Sequence, residues 1–242
     1  MSHAFSHTAP SNSGSHIPRY IPGTSHPLQC IDGIALVRSC RAQREICRQG
    51  QRAHAWYRVV SGAASCFIIK LDGRRQIVDL LFPGDFFGFT TGDEYDYTVE
   101  AVAPETIIYE YARKKIEQLA DNNPQLTREL RKIAFETLSR LQEQLLIVGR
   151  ITVSQKVGSF LLAMADRLSP EKGDRVTLPV SRYDIADYLA VSPETVSRAL
   201  SDLKHRGLIR FIGTRDIQIV DREALGDGDL NSRTTNTAAR AA

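Results

Sequence analysis

The sequence predicts an α+β fold in three consecutive parts: a strand-rich part, one long helix, and a pair of short helices followed by a β-hairpin. Between about residues 28 and 118, short apolar segments such as Trp56–Val60 and Ser65–Ile69 alternate with turn residues. Over residues 119–150, apolar residues recur every three or four positions, which is the period of a helix. Residues 151–225 contain the helix pair and the hairpin.

The strand-rich part is expected to form a small antiparallel structure, a double-stranded β-roll of the cupin-like type. His54 is the only histidine between residues 28 and 118. A metal-dependent enzyme built on such a roll would need at least two histidines and a carboxylate on neighbouring strands. We therefore predict neither a metal site nor a catalytic residue here.

Both ends of the chain, residues 1–27 and 226–242, are rich in small and polar residues and are expected to be disordered tails. The four histidines of the first tail are spaced too irregularly for a compact set of metal ligands; they are His3, His7, His16 and His26. No apolar run approaches the roughly 20 residues of a membrane helix, and no signal peptide is recognisable. A cytoplasmic protein without a membrane partner is expected, and its net charge of +3 is only mildly basic.

The long helix is predicted to begin its first turn at Pro124, after Asn122–Asn123. Its apolar residues step by an average close to 3.5, as in the seam of a coiled coil. The stripe consists of Leu130, Ala134, Leu138, Leu141, Leu145 and Val148. Such a stripe can pack on the roll of its own chain, but charged side chains around it favour pairing with a second copy. The predicted dimer contacts are Ala134, Leu138, Leu141, Leu145 and Val148.

The second short helix has a well-marked start, with Ser192 as N-cap, Pro193 at the first helical position and Glu194 in the first turn. An apolar stripe, Val196, Leu200 and Leu203, marks its buried side. The opposite side carries Glu194, Ser197, Arg198 and Ser201. A helix of this kind is what a helix-turn-helix inserts into the major groove of DNA, although an ordinary helical hairpin has a similar pattern.

The segment that follows favours DNA binding. Leu208–Ile212 and Ile217–Val220 are predicted strands, joined by the turn Gly213–Asp216 with Arg215 at its tip. A hairpin in this place makes a winged helix-turn-helix. Between residues 198 and 215, Asp202 is the only acidic residue. The basic residues in the same range outnumber it, as expected of a surface that binds a polyanion. These basic residues are Arg198, Lys204, Arg206, Arg210 and Arg215.

Four stretches of the chain resemble the CRP/FNR superfamily of bacterial transcription regulators, and within it the FixK branch. Pro83–Gly88 resembles the PGDxxG turn of the roll. Gly149–Val157, with Phe160–Leu162, resembles the segment that opens the second domain of FNR-type proteins. Ser181–Leu189 resembles the first helix of the motif, and Glu194–Arg198 resembles the ETxSR recognition helix.

The resemblance covers about residues 30–222 and implies a homodimeric activator of low-oxygen-response promoters that reads a palindrome of TTGA-like half-sites in double-stranded DNA. Its other implied partner is RNA polymerase. Glu194, Ser197 and Arg198 take the base-contacting positions; arginine suits guanine and glutamate suits a cytosine amino group. Pro193 offers only apolar contact, as to a thymine methyl group. Phosphate contacts are expected from Arg182, Thr195, Lys204 and Arg215.

No cofactor is expected. The gaps between Cys30, Cys40, Cys47 and Cys66 do not match the spacing of an iron–sulfur cluster. The position of the arginine that pairs with a cyclic phosphate in CRP-type pockets is occupied by Tyr97, behind an acidic loop, so cAMP is not expected to bind. Two alternatives stay open: a haem- or effector-dependent sensor of the same superfamily, and a roll-domain enzyme with a helical partner-binding module.

Overall fold

The structure, a computed structural model, describes residues 28–168 and 174–227. It confirms the predicted α+β architecture: an antiparallel roll, long helices, and a C-terminal winged helix-turn-helix. The tails predicted at residues 1–27 and beyond residue 227 lie outside the described residues. No helix in the described ranges is long and apolar enough to cross a membrane.

Eight strands form the roll, preceded by a short helix, α1 (Gln29–Asp32), that the sequence did not predict. They make two four-stranded antiparallel sheets, with the orders β1-β8-β3-β6 and β2-β7-β4-β5. The strands are β1 (Leu36–Arg41), β2 (Glu45–Cys47), β3 (Ala55–Ser61), β4 (Ala64–Ile69), β5 (Arg75–Leu81), β6 (Phe86–Phe87), β7 (Thr98–Ala101) and β8 (Glu105–Ala112).

Aromatic side chains fill much of the space between the two sheets. The rings of Tyr57 and Phe87 stack with centroids 5.0 Å apart, and the hydroxyl of Tyr95 donates a hydrogen bond to the carbonyl of Ala55 at 2.8 Å. The tight turn between β3 and β4 requires Gly62, because its φ is +83° and a Cβ there would lie 2.4 Å from the carbonyl oxygen of Glu105. Packed side chains therefore fill the interior of the roll between its two sheets.

Three helices follow the roll: α2 (Arg113–Asp121), α3 (Pro124–Val148) and α4 (Val153–Leu168). The predicted first turn at Pro124 is confirmed, and the side chain of Asn123 accepts hydrogen bonds from the two backbone N–H groups of Gln125 and Leu126. The expected start of the long helix at residue 119 falls inside α2, because the Asn122–Asn123 break separates α2 from α3.

A buried ionic cluster joins the roll to α3 and α4. Asp79 on β5 lies 3.4 Å from the guanidinium of Arg140 and 3.9 Å from that of Arg167. Arg167 also binds Asp85 of the Pro83–Gly88 turn at 2.7 Å and lies over the ring of Phe82 at 4.8 Å. Burial raises the pKa of Asp79 to about 6, although the two arginines act in the opposite direction.

The C-terminal domain consists of β9 (Arg175–Thr177), α5 (Arg182–Leu189), α6 (Pro193–His205), β10 (Ile209–Phe211), β11 (Asp216–Ile219) and α7 (Arg222–Asp227). The hairpin is confirmed. Its first strand is shorter than predicted, and its second strand begins one residue earlier than predicted. Two elements were missed. β9 pairs with β11 as a third strand of the wing, and α7 includes Gly226 and Asp227, so the second tail does not begin at residue 226.

Candidate nucleic-acid interface

The recognition helix α6 begins as the sequence predicts. The hydroxyl of Ser192 accepts a hydrogen bond from the backbone N–H of Thr195 at 3.2 Å, and Pro193 occupies the first helical position. The preceding helix α5 has a reciprocal capping box between Ser181 and Asp184. The turn between the two helices passes through Ala190 in the left-handed region, with φ +55°. These local features fix where α6 starts relative to α5.

One side of α6 is buried against the domain, and the other faces solvent. Val196, Leu200 and Leu203 are buried, together with Ala199. Glu194 and Arg198 are exposed and, four residues apart, lie on adjacent turns of one face. Ser197 is half-buried between that face and α5.

The Glu194 carboxyl is held in its ionised form. A hydrogen bond from its own backbone N–H lowers its pKa, as do the Ser192 hydroxyl and the charge of Arg198. An ionised carboxylate can only accept hydrogen bonds, and the guanidinium of Arg198 can only donate them. Neighbouring positions of α6 therefore present an acceptor and a donor, which is a combination that suits the edge of a G·C base pair.

Two predicted phosphate-contact residues lie on the wing side of α6. Nη1 of Arg182 donates a hydrogen bond to the hydroxyl of Ser197 at 3.2 Å, so its guanidinium lies directly beside the recognition helix. Arg215 is exposed in the connection between β10 and β11 and lines the same groove as Arg182 and Thr214. The fold brings together side chains from α5, α6 and the wing.

The other predicted contact residues lie differently. Thr195 is half-buried, and its hydroxyl shares a hydrogen bond with that of Ser192 at 2.9 Å, so it supports the cap of α6. Pro193 is half-buried at the helix start. Lys204 is exposed in the last turn of α6, about 15 Å along the helix from Glu194 at 1.5 Å per residue. The structure does not bring Lys204 together with the other predicted residues.

The apolar stripe of α3 is divided between two environments. Leu130, which the stripe was predicted to include, packs against the roll and α1, whereas Ala134, Leu138, Leu141 and Leu145 are exposed and Val148 is half-buried. Phe135 and Leu146 are also exposed, and the seam prediction missed them. A single chain leaves this apolar face of α3 uncovered.

Three thiols of the roll are buried and free: Cys40, Cys47 and Cys66. Burial raises the pKa of Cys47 to about 12 and also raises the pKa values of Cys40 and Cys66. Protonated thiols are poor nucleophiles and poor metal ligands. Within the described ranges, no three His, Cys, Asp or Glu side chains form a cluster suited to a metal ion.

The turn that binds the sugar and phosphate in CRP-type rolls is filled differently here. The hydroxyl of Tyr97 accepts a hydrogen bond from the backbone N–H of Gly88 at 2.8 Å. Phe89 packs edge-to-face on Trp56 at 4.9 Å, and Thr98 accepts a hydrogen bond from the N–H of Gln49. Aromatic and hydroxyl groups therefore hold the positions in which a cyclic phosphate would need an arginine, and these residues do not fit that ligand.

Comparisons with known proteins agree with this description. A family model described as the cyclic nucleotide-binding domain matches residues 37–123, and one described as the Crp-like helix-turn-helix domain matches residues 155–227. The nitrogen fixation regulation protein FixK of Azorhizobium caulinodans is 37% identical over 227 residues, which cover 92% of this chain and 91% of that protein. The transcriptional activator protein FnrL of Cereibacter sphaeroides is 32% identical, covering 81% of this chain and 82% of that protein.

The solved structure of FixK2 from Bradyrhizobium japonicum aligns with a TM-score of 0.75 and 36% identity, covering 81% of this chain and 98% of that one. The fold and the helix-turn-helix surface define a DNA-binding transcription regulator rather than an enzyme, which excludes the roll-domain enzyme. The chain belongs to the CRP/FNR family and is of the FixK-like type.

Proposed function

We propose that this regulator is a homodimer that reads a palindromic operator of TTGA-like half-sites and acts mainly as an activator through RNA polymerase. The observation that carries the proposal is the exposed pair Glu194 and Arg198 on the N-terminal half of α6, with Ser197 between them. In this assignment Arg198 donates to a guanine edge, Glu194 accepts from a cytosine amino group, and Pro193 contacts a thymine methyl group.

Dimerisation is supported by the uncovered apolar face of α3. Ala134, Leu138, Leu141, Leu145 and Val148 would pair with the same residues of a second copy in a two-fold arrangement. Such a dimer presents two copies of α6 to successive major grooves, about 34 Å apart. Arg182, Thr195, Lys204 and Arg215 would then hold the backbone of each half-site.

The roll is proposed to act as a scaffold that needs neither cAMP nor an iron–sulfur cluster. The aromatic packing around Tyr97 and Phe89 and the buried, protonated thiols support this assignment. Regulation would then depend largely on how much of the protein is made. The proposed targets are low-oxygen-response promoters, as the FixK resemblance implies. A reporter carrying the palindrome should respond at low oxygen only in cells that contain the protein.

The base assignment is tested by replacing Arg198 with Ala. We expect a loss of about 1–3 kcal/mol per half-site and weaker discrimination at one base pair, measured by competition with singly substituted operators. Arg206→Ala is the matched control for base discrimination: Arg206 lies at the other end of α6 and pairs with Asp202, so its loss can lower affinity but should leave the ranking of operators unchanged. An unchanged ranking of operators for Arg198→Ala would contradict the assignment.

A haem- or effector-dependent sensor is the competing function in the same family. The side chain of His54 is exposed, and Nε2 lies 3.8 Å from Glu110. An absorption spectrum of protein purified without oxygen separates the two: a clean spectrum above about 300 nm, with full operator binding, is the expected result. A haem or cluster band that is required for binding would instead favour the sensor.

A further inference from the structure

The β4–β5 hairpin of the roll lies against the helix-turn-helix, beside the turn that leads into α6. Lys70, Arg74, Arg75 and Gln76 form one side of a groove. Its other side is formed by the end of α5, the turn, and the start of α6; the residues there are Ala186, Asp187, Ala190, Val191, Ser192 and Pro193. This surface was not among those that the sequence indicated.

Two residues hold the hairpin in this place. The guanidinium of Arg75 stacks over the ring of Phe67 at 4.1 Å, donates to the hydroxyl of Ser65 at 2.5 Å, and lies 3.7 Å from the carboxylate of Asp184 on α5. Nε2 of Gln76 donates to the backbone carbonyl of Asp187 at 2.6 Å. The hairpin is thus attached to α5 through an ion pair and a short hydrogen bond between distant parts of the chain.

The two basic side chains nearest the hairpin tip face solvent. The ammonium of Lys70 donates to the side-chain oxygen of Gln76 at 3.0 Å and keeps two further donors. Arg74 pairs with Asp72 at 2.6 Å, but both side chains are exposed. Because water competes with an exposed pair, Arg74 can exchange this carboxylate for another anion at little cost. Arg75 offsets only part of the charge of the three carboxylates around it, Glu100, Asp184 and Asp187. The groups of this groove that can bind an anion are therefore Lys70 and Arg74 at its exposed rim.

The position of this groove matters because a helix in the major groove has a phosphate backbone on each side. Arg182 and Arg215 lie on the wing side of α6. Lys70 and Arg74 lie on the other side, next to Ser192 and Pro193 at the start of the same helix. The major groove is only about 12 Å wide. The long side chains of Lys70 and Arg74, which lie beside the start of α6, are therefore expected to reach the second backbone.

We propose that the β4–β5 hairpin belongs to the DNA interface and that Lys70 and Arg74 bind a backbone phosphate on the turn side of the recognition helix. This inference rests on the proposed function, since it requires α6 to enter the major groove. Base selection stays with α6, and the hairpin contributes affinity that does not depend on sequence.

The test uses the full chain with Lys70→Gln and Arg74→Gln combined. Each lost phosphate contact lowers the slope of log affinity against log salt by about 0.9. Lys70 and Arg74 bind one phosphate per hairpin in this proposal, so a dimer loses two phosphate contacts and the slope should become less steep by roughly 2. The ranking of operator sequences should stay unchanged, and a scrambled duplex should lose affinity in the same proportion.

Arg48→Gln is the matched control. Arg48 is an exposed arginine that pairs with Glu45 at 2.7 Å, as Arg74 pairs with Asp72. It directly follows β2, which is at the opposite edge of the same sheet from β5. Its replacement should leave the salt slope unchanged. A second readout uses operators with single neutral methylphosphonates: one backbone position should weaken binding of the wild type and have no further effect on the hairpin variant.

The outcomes separate this inference from the function on which it rests. If the hairpin variant keeps the wild-type slope while Arg198→Ala loses base discrimination, the phosphate assignment is wrong and the proposed function stands. If neither variant has an effect, the proposed function fails as well. A hairpin variant that binds DNA like the wild type but no longer activates transcription with purified polymerase would assign the hairpin to a protein contact and overturn the inference.

Discussion

Ser192, Pro193 and Glu194 show how far single residues determine the interface. Each acts within one helical turn: Ser192 caps the helix, Pro193 starts it, and Glu194 lies where the helix dipole favours a negative charge. Interactions this local depend on neighbours in sequence, and the start of α6 could therefore be predicted from sequence alone. The contact between Arg182 and Ser197 could not, because it depends on the angle between α5 and α6.

Removing the cap should weaken the domain that reads DNA. Ser192→Ala leaves the N–H of Thr195 without its partner and should lower the free energy of unfolding by about 1 kcal/mol. Ser201→Ala is the control, because the Ser201 hydroxyl donates only to the carbonyl of Ser197 within the helix. Urea unfolding of both variants measures the difference. Equal stability of the two would contradict the role of the cap.

At the scale of elements, α3 carries two separate apolar surfaces. One contacts the rest of the chain through Leu126, Ile133 and Ile147. The other, with Leu141 and Leu145, is exposed. The sequence predicted one stripe because the helical period alone does not tell which apolar residues meet the roll. Leu130 was placed in that stripe but not among the predicted dimer contacts, and in the structure it packs against the roll.

Charged residues on the exposed face should prevent pairing of two chains. The double variant Leu141→Glu and Leu145→Glu places like charges opposite each other in the proposed seam, so it should sediment as a monomer and lose specific operator binding. Leu119→Glu is the control, since Leu119 on α2 has the same exposed fraction as Leu141, 39%. A double variant that still sediments as a dimer would reject this seam.

Short elements were the hardest to predict. β9 has three residues and α7 has six, which is too few for a hydrophobic period to appear. β9 exists because β11 offers it a hydrogen-bonding edge, and α7 lies against Gly158, where a Cβ would be 2.6 Å from the carbonyl oxygen of Leu225. Both depend on tertiary contacts, whereas the long α3 and the well-capped α6 are specified by their own sequences.

Across the whole molecule, the cluster around Asp79 connects the roll to both helices that follow it. Arg140 on α3 and Arg167 on α4 share this carboxylate and that of Asp85. The participating residues are separated by up to 88 positions in sequence, from Asp79 to Arg167. A single sequence contains no local signal for such a cluster.

The raised pKa of Asp79 predicts a pH dependence of stability. The folded state binds the Asp79 proton more tightly than the unfolded chain, whose carboxyl has the ordinary pKa of 3.8. The stability that this proton contributes is complete below about pH 4 and is lost as the pH rises through about 6. As the pH rises from about 4 to about 6, the free energy of unfolding of the wild type should therefore decrease relative to that of Asp79→Asn. Urea titrations at several pH values would measure this difference. A difference that grows with pH would show that Arg140 and Arg167 outweigh burial.

The attachment of Arg75 and Gln76 to α5 has a consequence for how such a regulator changes over generations. In the proposed dimer the base preference belongs to α6, whereas the neighbouring helix α5 is held by a strand more than 100 positions earlier in the sequence. If the proposed two-fold operator is correct, substitutions at this attachment could change the half-site spacing that is tolerated without changing the base sequence that is recognised. Duplicated genes of this kind can diverge toward separate promoter sets along either route.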